Sequence, residues 1–250
     1  MRNGRIFIAT PNPQDQHALT RRFAHEVVES YADVTKLRSI ADANGTSFVD
    51  AFKGLIPDAP HIKSGDFGEI LIRNILEERK QPAVFPFRRW RYRQTRNDVL
   101  KGIDLIGFAC DPSEPTSGDL LLLVEVKTRA KRAKATIVRD AYKAVRKNFV
   151  SRLAEQLHFH QYGLREQGLN IEADKIARFA NPHRHGDYTK ELVVAIVHDA
   201  MLWDLSYLEE LPARHKLKAE VEILILSATQ LSNWIKSMRR AAIRHARTLS

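Results

Sequence analysis

Long apolar runs are missing from this chain. Its longest, LLLLV at 120–124 and LVVAIV at 192–197, fall far short of the ~20 residues a membrane-spanning helix needs. The N-terminus, MRNGRIFIATPNP, carries basic residues but only a four-residue apolar stretch, too short for a signal peptide. Cysteine is nearly absent: Cys110 stands alone, which excludes an intrachain disulfide and fits a reducing, cytoplasmic setting. Glycine is sparse at 11 of 250, without repeat or low-complexity tract, which excludes fibrous and disordered classes. No G-x-x-x-x-G-K-[ST] loop occurs, so the chain is not expected to power a helicase itself.

What the chain has in excess is positive charge. Forty Lys and Arg against thirty Asp and Glu leave a formal charge of +10, which favours polyanionic partners, nucleic acid first among them.

The apolar spacing predicts a helix over 14–37 (Leu19, Phe23, Val27, Tyr31), a turn at 43–47 and a short helix carrying Phe48, Phe52 and Leu55. The segment IPDAP at 56–60 interrupts helix, since proline cannot continue one. It divides a mainly helical accessory region, residues 1–60, from a main domain over 61–250. That domain reads as a helix at 66–79, strands at 83–93, 103–109 and 119–127, and a long helix at 136–165. Strands at 191–197 and 221–226 and a basic C-terminal helix from about 229 follow. Strands that are near-continuous apolar runs between helices indicate an α/β sheet covered on both faces.

Carboxylates interrupt that apolar pattern at three places: SGDFGE at 64–69, KGIDLIGF around Asp104, and LLLLVEVKTR around Glu125 and Lys127. Strand side chains alternate, so Glu125 and Lys127 share a face with Leu121 and Leu123, and Asp104 shares one with Ile106 and Phe108. Buried charges require partners or a metal. Mg²⁺ takes hard oxygen ligands, and Asp104, Glu125 and the Val126 backbone carbonyl offer such a set. Lys127 beside them is suited to orient a water or to stabilise negative charge building on a phosphate. The plainer reading is a salt-bridge cluster at a strand end. Glu69 lies at the edge of the apolar arc of Phe67, Ile70, Leu71, Ile72, Ile75 and Leu76, from which it can reach the same site. Asp66 is expected to complement the positive end of its helix, with Gly65 and Gly68 keeping the helix start uncrowded.

In these motifs, GE (Gly68–Glu69), GID (Gly102–Asp104) and EVK (Glu125–Lys127), the chain resembles the PD-(D/E)XK nuclease superfamily over roughly 64–226. The resemblance implies a restriction-endonuclease-like mixed sheet flanked by helices (an αβββαβ core) and a metal site centred on Asp104, Glu125 and Lys127, joined or supported by Glu69. The phrasing SGDFGE…KGIDLIGF…LLLVEVKTR is most similar to the HamA family, nuclease subunits of Hachiman antiphage defence that work with a helicase partner, HamB. It implies a DNA endonuclease using Mg²⁺, with Mn²⁺ as a substitute. A nucleic-acid-binding or assembly subunit with a structural acidic cluster, and a repair or recombination nuclease of the same fold, are the competing readings.

Basic segments supply candidate DNA contacts. In FRRWRYRQTR a strand places Arg89, Arg91 and Arg93 on one face and Arg88, Trp90 and Tyr92 on the other, the arginines suited to phosphates and the aromatics to stacking on bases, the alternative being an edge strand kept soluble by charge. After the E-x-K, Arg129, Lys131, Arg132 and Lys134 lie where a phosphate backbone should pass. The H-x-H pairs in HFHQY (158–162) and NPHRHGD (181–187) read as exposed loop histidines rather than a zinc site.

Overall fold

Three apolar runs form the middle of a sheet. In this computed structural model, residues 5–111, 114–132, 134, 136–180, 188–208 and 221–250 are described, with only the backbone for 5, 148–150 and 205. Strands β1 (Arg5–Ala9), β2 (Leu105–Ala109), β3 (Leu120–Arg129), β4 (Thr189–Asp199) and β5 (Val221–Ala228) lie in the order β1-β5-β4-β3-β2. Neighbours pair in parallel except β2 with β3, which is antiparallel. The sheet is therefore mixed, and β1, β5, β4 and β3 all point the same way.

Helices cover both faces, as the unbroken apolar strands require. On one face, helices α1 (Pro13–Arg22), α2 (Ala24–Tyr31), α3 (Val34–Asn44), α4 (Phe48–Leu55), α5 (Pro60–Arg79) and α9 (Leu231–Thr248) enclose a core with Leu122, Val124, Val126, Val193, Ala195 and Leu224. On the other, α6 (Ile137–Ser151), α7 (Leu153–Glu166) and α8 (Asn170–Ala180) pack with Ile106, Phe108, Leu121, Leu123 and Val194. The segment before residue 60 shares the first core and adds the edge strand β1. That strand is short, and its apolar residues are too few for periodicity to reveal it.

Several boundaries differ from the sequence expectation. The helix expected over 14–37 is three helices. Phe23 leaves helical geometry, and Ala32 is extended before Asp33, whose side chain accepts the Lys36 N–H and starts α3. The helix at 66–79 begins earlier, with Pro60 at its first turn, where a missing N–H costs nothing. Gly65, Asp66 and Gly68 thus lie inside it. The helix expected over 136–165 breaks between Ser151 and Leu153. The strand expected over 83–93 is not formed. Val84 makes a single bridge to Phe108, and Arg89–Tyr92 is one 3-10 turn. Its arginines turn inward to partners instead of standing on alternate faces.

Candidate active site

Asp104 stands immediately before β2. Leu105 pairs with Val124, so continuing the register sets Asp104 opposite Glu125. Its Oδ2 accepts the Val126 N–H at 2.8 Å. The N–H and C=O of a strand residue point to the same edge, so the Val126 carbonyl is turned toward Asp104 as well. Glu125 is buried, and its Oε1 accepts from Lys127 Nζ at 2.5 Å. The Lys127 side chain remains 32% exposed, open to a substrate from solvent. Asp104, Glu125 and Lys127 thus come together on one sheet face near the end of β3.

Two devices fix this arrangement. Gly102, at φ 105°, adopts a backbone that side chains disfavour, and a Cβ there would meet the Gln156 Oε1 at 2.1 Å. That oxygen accepts the Ile103 N–H at 3.1 Å, tying the turn before Asp104 to α7. Arg89, itself buried, donates to the Ile103 carbonyl at 2.7 Å, the Lys101 carbonyl at 3.4 Å and Asp104 Oδ1 at 3.1 Å. Gln156 does not stand out in the sequence, and Arg89 does so as a candidate phosphate contact, not as the partner of Asp104 that the structure makes it. The only signal was that a buried aspartate demands a cation.

Glu69 comes from α5, on the other face of β3. Gly68 makes this approach possible: a Cβ there would lie 1.8 Å from the Thr128 hydroxyl oxygen and 3.2 Å from its methyl. Burial, then the charge of Asp104, push the Glu69 carboxyl well above its usual range. Asp66 does not cap the helix. Its carboxylate is buried within α5, where it accepts from Tyr31 Oη at 2.7 Å and from Arg93, and burial outweighs these partners to raise it.

Electrostatics mark the centre. Burial and the neighbouring Asp104 charge push Glu125 up to about 7, despite Lys127. Burial works against the Lys127 charge, but Glu125 and Asp104 outweigh it and raise that group. Carboxylates are therefore crowded beyond what Lys127 and Arg89 offset, and a divalent cation would relieve the surplus. Two carboxylates and a backbone carbonyl form a hard-oxygen set that suits Mg²⁺ with retained waters. Among the described residues, no group of three or more His, Cys, Asp and Glu is arranged to hold a metal. The fit is thus to the two-carboxylate set, with the Glu69 carboxyl close enough to feel the Asp104 charge.

The basic segments part company. Arg89 and Arg91 do not face solvent: Arg89 is held as above, and Arg91 donates to the Glu29 carbonyl at 2.6 Å. Arg129, Lys131, Arg132 and Lys134 are exposed at the end of β3. The first H-x-H pair is helical, not looped. His158 is exposed, while His160 is buried against Phe87, and burial pushes its ring down to about 3. The second pair lies outside the described residues.

A mixed sheet covered by helices on both faces, with Asp104 and the Glu125–Lys127 pair at adjoining strand ends, defines an α/β protein with a crowded acidic strand-end cluster. Residues 2–237 of the 250 match the HamA family, and the chain belongs to it. Membership makes it a subunit of Hachiman antiphage defence, associated with a partner from that system. No curated protein matches the chain. Among the described residues, no helix is long and apolar enough to cross a membrane.

Proposed function

We propose that the chain is a metal-dependent DNA endonuclease that acts in this defence system beside a helicase partner, hydrolysing phosphodiester bonds at Asp104, Glu125 and Lys127. The observation that carries the reading is the convergence of two strand-end carboxylates, one of them pushed up to about 7 by burial and its neighbour, beside a lysine open to solvent.

Asp104, Glu125 and the Val126 carbonyl would hold Mg²⁺, or Mn²⁺ in its place. The bound cation would supply a more acidic water and offset charge on the phosphate. Arg89 and the Val126 N–H orient the Asp104 carboxylate. Lys127 would be free to orient the attacking water or to bind a non-bridging phosphate oxygen if Glu125 took a cation in its place. Glu69 stands beside Asp104, and a bound cation would favour the ionised form of its raised carboxyl. Exposed Arg129, Lys131, Arg132 and Lys134 lead the DNA backbone to the site.

The test is cleavage of plasmid DNA by the purified chain, alone and with its helicase partner, in Mg²⁺ and in chelator. Cleavage that needs Mg²⁺ and drops by about 10²-fold or more in Lys127→Ala supports the reading. Equal cleavage by a folded Lys127→Ala protein refutes it.

A further inference from the structure

Four parallel strands end on one edge of the sheet, and Lys127 lies near the end of β3 on that edge. β5 ends there too, at Ala228, and leads through Thr229 and Gln230 into α9. Two strand spacings, roughly 10 Å in all, separate β3 from β5. Beside the end of β5, between α1 and α9, opens a cavity of about 540 Å³.

Its walls are held rigidly. Trp234 Nε1 of α9 donates to the Gln16 carbonyl at 3.1 Å and to Thr20 Oγ1 at 2.9 Å, which sets the distance between the helices. Along α9, Asn233, Ser237, Arg240 and Arg244 follow at spacings of four, three and four, one face of the helix turned to the cavity. Arg21 reaches it from α1. No carboxylate lines this space. Among the described residues Arg21, Arg240 and Arg244 make no hydrogen bond and no ion pair, whereas Arg73, Arg89, Arg91 and Arg93 are all paired internally.

We propose that this cavity binds a nucleotide phosphate, carried by a DNA strand that crosses the carboxyl edge of the sheet from Lys127 or by a free nucleotide. Three unpaired guanidinium groups from two helices present planar donor forks that match phosphate oxygens. Amide and hydroxyl groups of Asn233 and Ser237 add neutral partners, and the volume suits a ligand of nucleotide size. An acidic protein segment would satisfy the charge, but the nucleotide-sized volume and the shared edge with the strand-end carboxylates favour a nucleotide. The strand-borne form rests on the nuclease reading; the free-nucleotide form does not.

The experiment uses the full chain in chelator, so cleavage plays no part. Affinity is measured for dAMP and for a fluorescent oligonucleotide, over a range of salt, in the native chain and in an Arg240→Ala/Arg244→Ala variant. Arg240→Lys/Arg244→Lys, which keeps the charge but not the planar fork, controls for folding and is expected to bind between the native chain and the alanine variant. If a strand is the ligand, the alanine variant binds the oligonucleotide about tenfold more weakly, and its slope of log affinity against log salt falls by roughly two, at ~0.9 per phosphate for duplex or ~0.7 for a single strand. If a free nucleotide is the ligand, dAMP binding is lost and the oligonucleotide affinity holds. Unchanged affinity for both probes in the alanine variant overturns the proposal. Glu125→Gln in parallel separates the two readings: retained cleavage there sinks the nuclease assignment and leaves the cavity result standing.

Discussion

Two stretches of this chain look alike in composition and behave oppositely in the fold. In 88–93 every arginine finds a partner inside the protein. Arg88 meets Glu26, Arg89 meets Asp104, Arg91 meets Glu29 and Arg93 meets Asp66. In 129–134 the described cations are exposed, and among the described residues Arg129 donates only to the carbonyl of its neighbour Thr128. The first stretch buckles α2, α5 and the Gly102–Asp104 turn together, and the second leaves its charge for an external anion. Density of arginine says nothing about which role applies. What decides is whether carboxylates elsewhere in the chain are brought within reach, and that is a property of the fold.

The comparison can be broken most sharply at Arg89. Arg89→Ala removes a buried cation from the half-buried Asp104 and leaves two carbonyls without that donor, and should destabilise by roughly 2–4 kcal/mol. Arg132→Ala, in the exposed stretch, should stay within about 0.5 kcal/mol. Urea midpoints of the two variants check this, and equal losses would erase the distinction between inward and outward arginines.

A smaller effect is expected at Gly68, where the inward side depends on close approach rather than charge. Gly68→Ala drives a methyl into Thr128 and should cost about 1–3 kcal/mol, displacing Glu69 from the site. Adding Thr128→Ala should recover much of that loss. Thermal melts of both single variants and the double variant measure the coupling.

The crowded carboxylates predict a pH response. Glu125 is pushed up to about 7 in the fold, against an ordinary 4.5. The folded chain therefore keeps a proton where the unfolded chain has released it. Stability from this group is full below about 4.5 and is lost as pH rises through about 7, by roughly 1–3 kcal/mol. Melting temperature in chelator should fall across that window, less steeply in Glu125→Gln, and Mg²⁺ should oppose the fall. A profile identical in the variant would contradict Glu125 as the source of the fall.

The smallest effect on stability belongs to the exposed basic loop. Replacing Arg129, Lys131, Arg132 and Lys134 together by alanine should leave the melt nearly unchanged while flattening the salt dependence of DNA binding by up to ~3–4 log units per log unit of salt. An unchanged slope would move the DNA path off this loop.

Much of the sheet was legible because strands covered on both faces carry unbroken apolar runs. Leu120–Arg129, Thr189–Asp199 and Val221–Ala228 are such runs, within a few residues of the expected bounds. The faces on which Asp104 and Glu125 stand followed from strand alternation. The stretch 88–93 misled because alternating Arg and aromatic residues mimic a strand, while its true conformation is dictated by Glu26, Glu29 and Asp66, distant in sequence. Gly68 was noticed, but its partner Thr128 lies on a different element, and no local pattern connects them. Caps such as Asp33 divided a helix that periodicity alone would have run together.

The central claim, that Asp104 and Glu125 are metal ligands and Lys127 a chemical group, is tested most directly by titrating the intact chain with Mn²⁺ and detecting bound metal by electron paramagnetic resonance. The account predicts saturable binding in the native chain, loss of most of it in folded Glu125→Gln, and retention in Lys127→Ala. Equal Mn²⁺ binding by the native chain and Glu125→Gln would contradict it.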